Sequence, residues 1–463
     1  MKKLKVLSIP IMCLFLVLLA ACSGGSKDDG KAATEQAKQT TTTETKDTPA
    51  ADNGSDEPAA VEKEPINLGG RTISISAWWD LTPSGDSASG KALLEQKEAV
   101  EKKYNVKINY INEPYDNYLQ KFTAGVIAGT PFADISMLEL KAALPAALND
   151  QLYTIGEFTT SDDDINNEGK LMTKMTKIAN EEYAFTMPNN TGYGLLYNRD
   201  VFKELGLPDL QQLYNNGEWN WDKFIEVAKL ATKDTNNDGK LDHWGFSGWA
   251  AEAGRHFAAS NGAKIADDQT GKEGLSDPKT IQALEFLNRL YNVENVVKIK
   301  SGKKTEWTER DTFKDGDVAM FVAADWMLGD LPFDFGIVPM PQGPSGTKQF
   351  TYADNAAAGY VIPKGVKDPA NVYRIFEELQ NIPPLEDYPS QNYLESLYKH
   401  EEDISMLKAH IVGTGLTELD EAYPEFPYGE VVDDIIVNNV SVTAAVEKQK
   451  QKAQAAMDSL VNK

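Results

Sequence analysis

The side chains best suited to chemistry in this 463-residue chain stand directly after apolar runs. Trp78, Trp79 and Asp80 follow the alternating segment RTISISA. Trp249, Glu252, Arg255 and His256 come after WGFS, and Asp325 and Trp326 after VAMFVAA. Flat indole faces beside fixed polar groups suit a ligand with both apolar and hydrogen-bonding surface. Packing in a core would use the same aromatics. Neighbours on a strand also point to opposite faces, so Trp78 and Trp79 do not both face one site.

Three other patterns invite a chemical reading. Asp234, Asn236, Asp238, Lys240 and Asp242, with Gly239 at the sixth place, have the spacing of a calcium loop. Gly245 stands at the twelfth place instead of the usual glutamate, and a solvated Asn/Asp turn reads the same way. Calcium bound there would be structural. The segment GDSASGKA, residues 85–92, nearly spells a phosphate-binding loop, but Ala92 replaces the hydroxyl residue that reaches magnesium. It reads as a polar loop before a helix. His243, His256, His400 and His410 lack metal-ligand spacing. Carboxylates are so numerous that no local pair separates a catalytic acid from a nucleophile.

These residues need elements to hold them. Residues 71–80 alternate as a strand, 90–104 have helical spacing, 106–110 alternate again, 115–128 form a second amphipathic helix, and 133–138 are an apolar strand. Strand, helix, strand, helix, strand predicts a parallel sheet covered on both faces. Ligands then bind at the carboxyl ends of the strands, which points to Trp78, Trp79, Asp80 and Glu139. Residues 183–208 hold two extended pieces separated by Pro188, Asn189, Asn190, Thr191 and Gly192. The pair is either a plain hairpin or a crossing between two domains. A short helix follows around 201–205, with Asp200 as its expected cap and Gly206 at its end. Helices are also expected over 219–230, 278–291, 371–381 and 444–461, with a further helix before a strand in DTFKDGDVAMFVAADWM. The body exceeds one core in length and fits two α/β lobes.

The first residues predict export. Lys2, Lys3 and Lys5 precede a short apolar run ending in Leu19, Ala20, Ala21 and Cys22, which matches a bacterial lipobox and makes Cys22 the expected lipidated residue. The only other cysteine is Cys13, so no disulfide or cysteine metal site is expected in the mature chain. Residues 22–65 are polar and almost free of large apolar side chains, a tether spanning on the order of 35–40 Å. The net charge of −24 becomes −27 without the three signal lysines (−24 − 3). Such acidity argues against nucleic acid and against an anionic lipid surface, leaving the lipid to anchor the protein.

Taken in order, YLQKFTAGVIAGTPFADISML, GLLYNRDVFKELGLP, WDKFIEVAKLATKD, FKDGDVAMFVAADWM, IVPMPQGPSG and GYVIPKGVKDPANVYRIFEEL resemble the extracellular solute-binding lipoproteins of bacterial ABC importers, of the maltose- and oligosaccharide-binding type. The resemblance runs from about residue 73 to 379. It implies a two-lobed periplasmic-binding-protein-like α/β fold (type II), with lobe 1 over 66–187 and 357–385 and lobe 2 over 188–356 and 386–463. Chain crossings would lie near 187–193, 355–360 and 383–389. It implies no enzymatic activity and no cofactor beyond the calcium expectation. The protein would be a monomer on the outer face of the cell membrane, taking a solute, an oligosaccharide by this resemblance, and passing it to a permease. Trp79, Asp80 and Trp326 match the family pattern at the ligand. Strand-end position adds Glu139, Asn190, Tyr193, Trp249, Glu252, Arg255, Tyr352 and Asn355. An exported glycosidase and a non-transporting sensory or adhesion lipoprotein are the rival classes.

Overall fold

The computed structural model describes residues 66–85, 88–156, 158, 183–185, 192–267, 269–329, 331–354, 358–382, 391–423 and 425–461. Cys22, the signal and tether, Asn190, Asn355 and the expected crossing at 383–389 lie outside them. Contacts divide the chain into residues 1–63 and 64–463, and the description concerns the second unit. Among the described residues no helix is long and apolar enough to cross a membrane.

Among the described residues there are fourteen strands: β1 (Arg71–Ala77), β2 (Val106–Asn112), β3 (Ile135–Glu139), β4 (Ala184–Phe185), β5 (Tyr193–Asn198), β6 (Trp244–Ser247), β7 (Ala266–Asp267), β8 (Lys272–Glu273), β9 (Val297–Lys298), β10 (Val318–Ala324), β11 (Phe335–Val338), β12 (Tyr352–Asp354), β13 (Ala358–Val361) and β14 (Gly415–Thr417). The first sheet has the order β2-β1-β3-β13-β4, and the second β11-β5-β10-β6-β9. In the first, β1, β2 and β3 are parallel, with Ile73 opposite Ile108 and Ile75 opposite Ile135. The helices Ala88–Tyr104 and Tyr115–Ile127 make the crossovers, as the alternating periodicities predict.

The two extended pieces at 183–198 are not a hairpin. β4 pairs with β13 in the first sheet, while β5 pairs with β10 and β11 in the second. The chain therefore changes sheet between residues 185 and 193, and returns between β11 and β13 by way of β12, which pairs with β14 in a separate two-stranded sheet. Gly192 enters the second sheet at φ 87, a left-handed conformation that a Cβ would strain. All residues of β5 and β10 are buried, as expected for central strands covered on both faces.

Two local expectations are corrected. The helix Arg199–Leu205 is capped by Asn198, whose Oδ1 accepts from the amides of Asp200 and Val201, and not by Asp200. The helix expected before β10 is the 3₁₀ segment Trp307–Asp315, which ends in the left-handed Gly316.

One large apolar cluster surrounds the second sheet, and a smaller one lies under the first. A third joins Leu140, Ala143 and Leu144 of the helix Leu140–Leu148 to Leu419, Ala422, Tyr423, Ala456 and Met457. The C-terminal part of the chain therefore packs against residues that follow the first sheet as well as against the second.

Candidate functional site

Sheet register brings the residues that follow the strands to shared edges. In the first sheet β1 and β3 end at Ala77 and Glu139, and the parallel β2 ends at Asn112. Trp78 is half-buried and packs edge-on against Tyr115 and Tyr118, with centroids 5.7 and 5.6 Å away. Trp79 stands edge-to-face on Trp78 at 4.9 Å and is 37% exposed. Strand alternation thus splits the pair into one packing ring and one outward ring. Asp80 is exposed, and its Oδ1 accepts the Thr82 amide at 2.9 Å. Bonding to Thr82 holds its carboxyl below the ordinary range. The Tyr115 hydroxyl donates to Glu139 Oε2 at 2.8 Å, and Lys141 Nζ lies 3.2 Å from the same oxygen.

In the second sheet Ala324 pairs with Tyr193, and Phe321 with Ser247. Tyr193, Trp249 and Trp326 therefore share one edge. Trp326 sits in the 3₁₀ turn Asp325–Met327 and is 60% exposed. Asp325 fixes that turn by accepting the Trp326 amide at 2.8 Å on Oδ1 and the Tyr393 hydroxyl at 2.6 Å on Oδ2. Trp249 is half-buried at the N-cap of the helix Ala250–Ser260.

Glu252 and Arg255 on that helix are turned into a buried ionic cluster. Arg255 donates to Asp420 through Nε at 3.2 Å and Nη2 at 2.9 Å, to Glu252 through Nη1 at 3.2 Å, and to Glu421 through Nη2 at 3.0 Å. Its guanidinium lies 4.9 Å from the Tyr428 ring. Gly254 lets this helix approach, since a Cβ there would stand 2.4 Å from the Tyr428 hydroxyl. His256 Nδ1 accepts the Ala353 amide at 3.1 Å, which assigns the ring proton to Nε2, 3.3 Å from Glu252 Oε1. The Tyr193 ring lies 4.6 Å from His256 and 6.2 Å from Tyr352, and both tyrosines are buried. Burial, then the charges of Glu252 and Asp354, pushes the Tyr193 hydroxyl well above its usual range.

Glu421 ties the two edges together. It accepts from Arg255 and lies 3.2 Å from Lys141 Nζ, whose other partner is Glu139. Burial works against the Lys141 charge, but Glu421 and Glu139 outweigh it and hold the ammonium above its usual range. Each sheet thus has one exposed indole just past a strand end, Trp79 after β1 and Trp326 after β10. Glu139 and Glu252 are each paired with a cation, Lys141 and Arg255.

Tyr115, Lys141, Glu421 and Tyr393 were not singled out from sequence. Tyr115 was legible, because it follows β2 as Trp79 follows β1. Glu421 was not, as it lies 166 residues from Arg255.

The loop 234–242 is closed by its own side chains. Asp234 accepts the amides of Asp238 and Gly239, at 3.3 and 2.8 Å, and Asp238 accepts that of Lys240 at 2.8 Å. Asp242 accepts from Thr235 and Asn236. Asn237 and Gly239 take left-handed conformations, φ 62 and φ 86. Among the described residues no three His, Cys, Asp or Glu form a metal-holding group. A cation here would need the Asn236 side chain, backbone carbonyls and water as well.

The sequence profile of the family described as bacterial extracellular solute-binding protein matches residues 84–381. No curated protein matches the sequence at a significant level. Among solved structures, the chain is similar to the GacH receptor of Streptomyces glaucescens, studied unliganded and with acarbose (14% identity, 84% of this chain and 99% of that one, TM-score 0.61). It is similar to an ABC substrate-binding protein of Listeria monocytogenes in complex with cycloalternan (17%, 84% and 99%, TM-score 0.60). A third is the maltose/maltodextrin-binding domain of Bdellovibrio bacteriovorus bound to maltotriose (16%, 85% and 100%, TM-score 0.57). At these identities the likeness is one of fold.

Proposed function

Because the chain belongs to the bacterial extracellular solute-binding protein family, we propose that it captures an oligosaccharide between two lobes and delivers it to an ABC permease. The observation that carries the saccharide is the pair of exposed indoles, Trp79 after β1 and Trp326 after β10, one from each sheet. Indole faces cover the C–H surface of a sugar ring, while neighbouring polar groups bond its hydroxyls. The ligands of the similar structures, maltotriose, acarbose and cycloalternan, support the same class. Asp80, Glu139 and Trp249 line the edges on this reading, and the buried Tyr193 and Tyr352 pack behind them; Asn190 and Asn355, proposed with them, lie outside the described residues. Glu252 and Arg255 act behind the surface, as supports. Ligand touching both lobes favours the closed form by its differential contacts, and the permease reads that form. A monomer held by lipid on Cys22 at the outer face of the membrane completes the proposal.

Calorimetric titration and small-angle scattering test it. Purified protein is expected to bind at least one of maltotriose, maltotetraose, cycloalternan or acarbose, to become more compact on binding, and to leave the sugar unaltered. Hydrolysis of the sugar, or silence across both this neutral panel and acidic oligosaccharides, would overturn the saccharide reading.

Calcium is proposed for the loop 234–242, with Asp234, Asn236, Asp238 and Asp242 side chains and the Lys240 carbonyl as donors. Millimolar calcium is expected to raise the melting temperature by a few degrees, through binding to the folded state alone. Excess chelator should reverse the rise, and Asp238→Ala should abolish it. A melting temperature indifferent to calcium excludes the site.

A further inference from the structure

Arg310 is set differently from the cations of the buried cluster, Arg255 and Lys141. Arg255 is met by three carboxylates and Lys141 by two. Arg310, in the 3₁₀ segment before β10, makes no hydrogen bond to any described residue. Its nearest carboxylate oxygen, on Asp311, is 3.7 Å from Nε, beyond hydrogen-bond reach. What holds it is aromatic. The guanidinium carbon lies 4.2 Å from the Trp307 ring centroid and 5.9 Å from that of Trp326. These rings are 52% and 60% exposed. The cation is thus oriented by π-faces while its N–H donors remain available.

The surroundings fit a ligand. Arg310 lines a cavity of about 220 Å³ together with Phe313, Lys314, Ala323, Trp326 and Leu331. Asp311 also lines it, 3.7 Å from Lys314 Nζ, so among the described lining residues two cations face one carboxylate. That local excess of positive charge stands in a chain of net charge −24. A neutral sugar hydroxyl needs only a single donor. A stacked planar fork with a second cation beside it matches an oxyanion, which accepts two parallel N–H bonds.

We infer that the Arg310 cavity is a subsite for an oxyanion carried by the solute, so that the saccharide taken by this protein is acidic. The inference rests on the reading of the cleft as a saccharide site. The oxyanion is either the carboxylate of a uronic acid residue or a sulfate ester, and both have the same recognition chemistry.

Titration calorimetry with matched probes tests it. The probes are trigalacturonate, the neutral trisaccharide made by reducing its carboxylates, and that neutral trisaccharide carrying one sulfate. Either acidic probe is expected to bind at least tenfold tighter than the neutral one. The acidic probe that binds more tightly identifies the source of the charge. Arg310→Gln should remove this preference without weakening the neutral probe, and its melting temperature should stay at the wild-type value. Arg310→Lys should restore part of the preference, since it keeps the charge but loses the fork. Raising the salt concentration should weaken only the acidic probes. Neutral and acidic probes binding equally, or Arg310→Gln weakening both alike, overturns the inference and leaves the saccharide reading standing. Failure of every probe here, together with silence across the neutral panel above, removes that reading and the inference with it.

Discussion

Replacing Arg255 by methionine is expected to destabilise the protein by roughly 3–5 kcal/mol, the usual cost of removing one partner from a buried ion pair. Arg255 is 7% exposed, Asp420 3% and Glu252 7%. Methionine fills most of the arginine's volume, so little of the loss would come from a cavity. It comes instead from leaving Asp420 and Glu252 charged, buried and without their cation. In thermal unfolding, the melting temperature should fall by roughly 4–6 °C at neutral pH.

The pH dependence separates this cause from lost packing. Burial, with the nearby Asp420 charge, pushes Glu418 up to about 8 from an ordinary 4.5, and burial pushes Asp420 upward as well. Burial also pushes Asp403 up to about 6, against the pull of Arg199. A carboxyl raised in the folded state stabilises fully below its unfolded pKa, and that contribution is lost as the pH rises through the folded value. The wild type should therefore melt several degrees higher near pH 5 than near pH 8.5, declining steadily over this range, less steeply above about 6, and levelling off near 8. Glu418→Gln should flatten the upper part of the profile. The Arg255→Met defect should shrink toward pH 5, where the stranded carboxyls take up protons. A defect of equal size at both pH values would make Arg255 a packing residue and no more.

Replacing Trp326 by alanine is expected to lower saccharide affinity roughly 30- to 100-fold, the loss typical of a central aromatic anchor. Its melting temperature should stay within about 1 °C of the wild type, because surface side chains contribute little to folding and this one is 60% exposed. Trp326→Phe should retain part of the affinity, keeping an aromatic face of smaller area. Trp79→Ala should weaken binding too, with a small stability loss because Trp79 also packs on Trp78. The comparison is made by calorimetry on the tightest oligosaccharide found. An alanine variant that binds as the wild type does would remove Trp326 from the site.

The sequence by itself determined what depends on near neighbours. The order strand, helix, strand, helix, strand over residues 71–139 was legible because both periodicities repeat within a dozen residues. Trp79 and Trp326 were legible for the same reason, since a residue just past a strand's carboxyl end has its place fixed by that strand. Only the tertiary structure decided what depends on distant pairing. Residues 183–198 read equally as hairpin or crossing, until β4 paired with residues 360–361 and β5 with 320–324. Arg255 and Glu252 looked like ligand contacts from their place after β6. Their outward or inward direction was set by Asp420, 165 residues away along the chain. The setting of Arg310 was only half local, because one of its two indoles, Trp307, stands three residues before it and the other, Trp326, beyond the intervening strand β10. Local periodicity fixes which way a backbone element turns its side chains, whereas the charge or ring that meets each side chain comes from whichever remote segment the fold packs against it.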